Sequence, residues 1–161
     1  MKIRIGLGYD KHKLISPGEF IILGNIKIPY KKKFIAHSDG DVLIHSIIDG
    51  IFGALGESDI GTHFPDTDSK YKDIDSLILL KETVKIMKEK GFHIENIDST
   101  IIAEEPKLAP YIEMIKERLA PVLEVNKKLI SIKAKTDEGT GDVGEKRAIK
   151  VFSIVLLKSK T

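Results

Sequence analysis

Between Ala36 and Asp68 the chain reads AHSDGDVLIHSIIDGIFGALGESDIGTHFPDTD, and no other stretch restricts the fold as tightly. Its centre must be helical. Ile44, Ile47, Ile48, Ile51 and Leu55 recur at helical spacing, and Ser38 or Asp39 can cap a helix predicted over Asp39–Leu55. The Gly- and Pro-punctuated run Ser58–Asp68 that follows is predicted as a loop. Acidic groups (Asp39, Asp41, Asp59, Asp66, Asp68) and the imidazoles of His37 and His45 therefore collect around one helix and one loop, as a metal–phosphate site requires. His37 precedes the helix, where free backbone N–H groups favour an anion. His45 lies one turn after Asp41, beside the centre of the apolar face. A histidine there is more often a hydrogen-bonded structural residue than a ligand, so its role depends on what else reaches it.

The N-terminal segment supplies partners. Lys2–Gly8 alternates apolar Ile3, Ile5 and Leu7 with Lys2 and Arg4, the period of a half-buried strand. If that strand continues, Asp10 and His12 fall on one face, because strand side chains repeat every second residue. An Asp-x-His pair alone is more often a turn cap and a solvated imidazole. With His45 it becomes a set of three ligands that leaves a fourth position open, as catalytic zinc sites do. Gly6-Leu7-Gly8 is not a dinucleotide fingerprint, because position 11 is Lys and no helix opens there.

Composition removes several classes. The chain has 161 residues, enough for one domain with a real core, and 26 basic against 24 acidic side chains leave no footprint for nucleic acid. The run Lys31-Lys32-Lys33 reads as a solvated hairpin tip. Without cysteine, disulfides and thiolate ligands are excluded, and a metal must use imidazole and carboxylate. No apolar run approaches the ~20 residues of a membrane span, and MKIRIGLGYD reads as a strand, not a targeting peptide.

Elsewhere, Phe20–Leu23 and Ile26–Ile28 flank Gly24-Asn25 as a small hairpin closed by Pro29. A second helix is predicted from Asp73 or Asp75 to Lys90, with Gly91 ending it and a solvated face of Lys and Glu. A strand over Ile94–Glu105, a helix over Ala109–Leu123, a strand over Leu129–Thr136 and a last strand over Ile149–Leu157 complete the chain. His63 and His93 are assigned structural or solvated positions. Lys107 follows one central strand, and Thr136 with Glu138 opens the Gly-rich loop Asp137–Gly144 after the next. Gly there lets backbone N–H groups approach a nucleotide or diphosphate closely.

Together the runs GxDxHxL (Gly8–Leu14), AHSDGDVLIH (Ala36–His45), DIGxxFPDTD (Asp59–Asp68), EPKLAP (Glu105–Pro110) and KAKTDE (Lys133–Glu138) resemble the 2-C-methyl-D-erythritol 2,4-cyclodiphosphate synthases of non-mevalonate isoprenoid synthesis, along almost the whole chain. The resemblance implies an α/β (α+β) subunit with a mixed four-stranded sheet, helices packed on one face and a small hairpin. It also implies a homotrimer with active sites between subunits. Asp10, His12 and His45 would bind zinc, and Glu138 a second divalent cation, magnesium or manganese. His37 and Ser38 would hold the methylerythritol phosphate end, and His37 with Thr136 would steady the transition state. Asp59, Ile60 and Gly61, with Phe64, Pro65, Asp66, Thr67 and Asp68, would line the erythritol pocket. Ala103, Pro106, Lys107, Leu108 and Ala109, with Ala134, Lys135 and Thr136, would take the cytidine and its phosphates from the adjacent subunit. Asp10, Lys11, His12, Asp137 and Glu138 complete the implied substrate contacts. In the run Gly141–Arg147, Glu145 stands where Arg is common in bacterial members and Arg147 where Glu is, which is similar to the plastid-type form. The setting implied is bacterial cytoplasm, or a plastid-type organelle with a transit peptide removed.

The implied reaction suits these residues. The substrate's own 2-phosphate is the nucleophile, largely dianionic near neutral pH because its second pKa is about 6. No Ser-His-Asp arrangement is needed, and none is found. Two other readings share the motifs: a metal- or nucleotide-binding domain without turnover would be expected to lack a ligand or the FPDTD loop, and a two-metal phosphohydrolase to cluster more Asp ligands. The chain shows neither feature.

Overall fold

The N-terminal alternation produces a strand that is longer than its apolar part. In the computed structural model, which describes residues 1–160, β1 runs Ile3–Ile15 and carries Asp10 and His12 within it. The hairpin strands β2 (Phe20–Leu23) and β3 (Ile26–Pro29) pair antiparallel around Gly24 and Asn25, both at positive φ as the turn requires. β4 (Lys33–Ile35), β5 (Phe92–Ile102), β6 (Ile130–Lys135) and β7 (Ala148–Ser159) join β1 in one sheet of order β4-β1-β7-β5-β6. Only the β5–β6 pairing is parallel, so the sheet is mixed, as expected. It has five strands, however, not four. The extra strand, β4, is three residues long and starts in the lysine run. It has no apolar period to betray it, and its pairing with Lys13–Ile15 makes it a strand.

Helix α1 (Val42–Leu55) begins later than predicted, at the cap Asp41. Gly40 has φ +74°, and the Asp39 carboxylate is engaged by the Asp41 N–H, so the chain still turns where the sequence suggested helix. The predicted loop after it contains one short helix, α2 (Ile60–His63), capped by Asp59. Helix α3 (Ser76–Glu89) starts at the second of its two candidate caps, Asp75, and Gly91 follows its end with φ +82°. The next predicted helix opens as a 3₁₀ turn over Ala109–Tyr111 before α4 (Ile112–Leu123), and α5 (Gly141–Gly144) closes the Gly-rich loop.

All three long helices cover one face of the sheet. Ile44, Ile47, Ile48, Ile51 and Phe52 of α1 are fully buried against Val151 and Val155 of β7, with Leu80 and Met87 of α3 and Leu119 of α4 completing the core. Each such side chain contributes ~1.5–3 kcal/mol, so packing more than propensity holds α1 in place. The buried half of β1 is not its apolar half. Gly6 and Gly8 face α1, and a Cβ on Gly6 would lie 1.8 Å from the Gly50 carbonyl oxygen. Ile3, Ile5 and Leu7 point out from the uncovered face, where they are 60–69% exposed beside Tyr9, Phe152 and Ile154. No helix among the described residues is long and apolar enough to cross a membrane.

Candidate metal centre and neighbouring pockets

The glycines of β1 bring α1 against the strand, and the same parity carries Asp10 and His12 onto the helix-covered face. His45 meets them one turn into α1. Asp10 Oδ2 lies 3.0 Å from both His12 Nε2 and His45 Nδ1, and these nitrogens are 3.2 Å apart. Tetrahedral zinc with bonds of about 2.0–2.1 Å separates its ligand atoms by about 3.3 Å. Three electron-rich atoms at this spacing repel unless a proton or a cation sits among them, so the donor set fits a divalent metal.

Helix α1 is locked in register from several sides. Buried Asp41 accepts from Ile44 N (3.1 Å) within the helix and from Gly24 N (2.9 Å) and Asn25 N (2.7 Å) of the hairpin turn. Burial, reinforced by the neighbouring Asp39, outweighs those donors and pushes its carboxyl up to about 6. Ser46 bonds Ser153 of β7, which bonds Ser99 of β5, both at 2.7 Å in the core. Burial alone would lower His45 and raise Asp10. Their hydrogen bond and opposite charges win: His45 is raised, and Asp10, also bonded to His12, falls to about 2.

The triad forms one wall of a cavity of about 160 Å³ shared with His37, Ser38, Ile60, Gly61, Phe64 and Asp66. His37 Nε2 is buried and has no hydrogen-bond partner among the described residues. Tyr71, Ile74 and Leu79 add an apolar wall that sequence reasoning missed, because they reach the cavity from beyond the acidic loop. Asp59 caps α2 through the Thr62 N–H and hydroxyl (3.0 Å each), Asp68 caps a 3₁₀ turn, and Pro65 and Thr67 form the bend between them. These four do not line the cavity of the single chain.

A second cavity, of about 440 Å³, opens at the ends of β5 and β6. Ala103, Pro106, Lys107, Leu108, Ala109, Ala134, Lys135 and Thr136 line it, as the motifs suggested. Glu104, not singled out from sequence, ties its two walls together by accepting from Asp137 N (2.8 Å) and Gly139 N (3.4 Å). Glu138 follows at φ +53°, exposed, its carboxylate 3.4 Å from the Thr136 hydroxyl. Asp137 is paired with Lys150 at 2.8 Å, and Lys11 with Asp142. Arg147 and Glu145, the exchanged pair of the C-terminal loop, bond each other at 2.8 Å. Within one chain the two cavities share no lining residue and Glu138 lines neither, so Thr136 and Glu138 are not brought to the triad.

Fold and site define a class of protein: a mixed-sheet α+β subunit with an Asp-His-His metal cradle between its first strand and first helix, and a separate pocket at the end of the same sheet. The chain belongs to the YgbB family, whose model matches residues 3–158. It is 51% identical over 158 residues to the 2-C-methyl-D-erythritol 2,4-cyclodiphosphate synthase of Fusobacterium nucleatum, covering 98% of each chain. It is 53% identical over 155 residues to that of Clostridium kluyveri, covering 96% of this chain and 94% of the relative. Among solved structures, IspF of Plasmodium falciparum in complex with CDP is 39% identical with a TM-score of 0.87, covering 99% of this chain and 97% of that one. The bifunctional IspDF of Campylobacter jejuni is 38% identical with a TM-score of 0.93, covering 98% of this chain and 42% of that one.

Proposed function

We propose that this chain, acting over residues 1–161 as one catalytic domain, converts 4-diphosphocytidyl-2-C-methyl-D-erythritol 2-phosphate to 2-C-methyl-D-erythritol 2,4-cyclodiphosphate and CMP. It is a phosphorus–oxygen lyase. The observation that carries the reading is the Asp10–His12–His45 cradle opening into a cavity with the unpartnered His37 nitrogen, in a chain about half identical to synthases of this name. An oxygen of the 2-phosphate bonds to the β-phosphorus, the bond from that phosphorus to the oxygen bridging to the α-phosphorus breaks, and CMP leaves with the bridging oxygen. No water is consumed.

Asp10, His12 and His45 hold zinc, and Glu138, a single exposed carboxylate, holds magnesium or manganese in the manner of sites completed by substrate phosphates. When bound, the two cations neutralise phosphate charge and polarise the β-phosphorus. His37 and Ser38 grip the 2-phosphate end, and His37 with Thr136 steadies charge that grows on the reacting oxygens. Ile60, Gly61, Phe64 and Asp66, with Asp59, Pro65, Thr67 and Asp68 around them, fold the erythritol chain so that nucleophile and phosphorus meet. The pocket from Ala103 to Ala109, with Ala134 and Lys135, takes the cytidine.

Three copies complete the site. The exposed row Ile3, Ile5, Leu7, Tyr9, Phe152 and Ile154 supports assembly through the uncovered sheet face. Such packing lets one subunit's triad cavity meet a neighbour's β5–β6 pocket. The bacterial relatives support a cytoplasmic setting.

Phosphorus NMR on the purified protein with substrate, zinc and magnesium tests the reading. Stoichiometric CMP and a cyclic diphosphate are expected, and both should vanish in His45→Ala. CMP with a linear diphosphate would mean a hydrolase instead, and no turnover in the metal-loaded trimer would mean a binding module.

A further inference from the structure

We infer that Ser76 and Asp39 are positioning residues for His45: the Ser76 hydroxyl accepts from His45 Nε2–H and donates to Asp39, so that when a metal displaces the Nδ1 proton shared with Asp10, the Nδ1 lone pair already points between Asp10 and His12. The inference rests on the metal reading proposed above.

Donor counting carries it. Ser76 Oγ lies 2.5 Å from Asp39 Oδ1 and 2.8 Å from His45 Nε2. A carboxylate can only accept, and a serine has one hydroxyl proton. That proton therefore goes to Asp39, and the serine oxygen is left to accept from His45. Asp39 cannot swing away: its Oδ2 accepts the Ser76 N–H at 2.9 Å, and its Oδ1 accepts the Asp41 N–H at 3.0 Å. Ser76 is fully buried, so no solvent competes for its oxygen. The alternative acceptor, Ser38 Oγ, is further from Nε2 at 3.2 Å and also receives the Gly40 N–H at 3.3 Å.

The arrangement ties the first residue of α3 to the metal cradle through the loop before α1. A histidine that ligates through Nδ1 must carry its proton on Nε2, and a partner fixed at Nε2 selects that tautomer and holds the ring plane. With the hydroxyl removed, the imidazole can rotate or take the other tautomer, and the cradle loses its alignment.

Zinc titration of the full-length protein against a chromophoric chelator tests this. Wild type is expected to bind one zinc per chain at the triad. Ser76→Ala and Asp39→Asn are expected to weaken zinc binding by roughly 10- to 100-fold, with the melting temperature of the metal-free chain little changed. In zinc-loaded wild type, the His45 Hε2 proton should give an NMR resonance slow to exchange with water and close to the Ser76 β-protons. In Ser76→Ala that exchange should become fast. Unchanged zinc affinity in Ser76→Ala, a fast-exchanging Hε2 in wild type, or a loss seen only in Ser38→Ala would overturn the assignment. A wild-type chain that binds no zinc would overturn the metal reading and this inference with it. A chain that binds zinc equally well with and without the Ser76 hydroxyl would leave the metal reading standing and remove this one alone.

Discussion

Gly8 and Ser46 approach so closely that a Cβ on Gly8 would lie 1.7 Å from the Ser46 carbonyl oxygen. This contact sets the distance between β1 and α1, and hence between Asp10 or His12 and His45. Gly8→Ala should therefore cost at least about 3 kcal/mol, in the range of severe core overpacking, and should weaken zinc binding by moving the helix. Gly53→Ala is the control. Its nearest neighbour is at 3.7 Å, so the helical preference for Ala should make it neutral or stabilising by up to ~1 kcal/mol. Thermal unfolding of both variants decides the matter, and equal melting temperatures would remove the close contact as the determinant of the spacing.

The metal set was legible in the sequence because parity and helical period are local properties: Asp10 and His12 share a strand face, and His45 lies one turn into a helix. Which face of β1 the helix would cover was not legible. Alternation distinguishes two faces, and the apolar one, with Ile5 and Leu7, is the one the helices leave exposed. Gly6 and Gly8 match no nucleotide motif, and their role in close packing shows only when α1 is in place. Ser76 and Glu104 act on residues about 30 positions distant, so no spacing rule reaches them. Helix α1 starts later than its candidate caps suggest because Asp39, a good cap by type, is spent on Ser76.

Zinc binding should depend on pH with a definite sign. His45 binds its proton more tightly than an ordinary imidazole of 6.5, and a protonated ring cannot ligate. Zinc affinity should rise on the order of tenfold per pH unit up to that raised value and level off above it. The metal-free chain behaves in the opposite sense. The stabilisation from raising His45 is full below 6.5 and is lost as pH rises through the folded value, whereas that from holding Asp10 at about 2 is present above 3.8 and lost only in strong acid. The melting-temperature gap between zinc-loaded and chelator-treated protein should therefore widen from about pH 6 to 8. A gap independent of pH would argue that His45 does not lose a proton on binding.

Leu7→Asp tests the uncovered sheet face. Leu7 is 62% exposed in the single chain, so a charge there should cost a monomer little. Buried between subunits it would be unpaired and should break assembly. Wild type is expected to run as a trimer by light scattering. The variant should run as a monomer that still binds zinc, since the triad lies within one chain, but turns over at least about 100-fold more slowly once the neighbour's pocket is lost. A variant that remains trimeric would place the interface elsewhere.

Glu138→Gln separates chemistry from folding. The side chain is exposed and makes only a long contact, 3.4 Å, with the Thr136 hydroxyl, so its amide should change stability by less than about 0.5 kcal/mol. Zinc content should not change, because Glu138 does not line the triad cavity of its own chain. Turnover should nevertheless fall on the order of 100-fold or more, because one negative ligand of a hard cation is replaced by a weaker neutral one where phosphate charge must be offset. Raising magnesium would recover part of that loss if Glu138 only concentrates the ion, and none of it if the carboxylate also orients it. Titrating magnesium in both proteins at fixed zinc therefore reports what the carboxylate does, and a variant whose turnover matches wild type at every magnesium concentration would exclude Glu138 as a metal ligand.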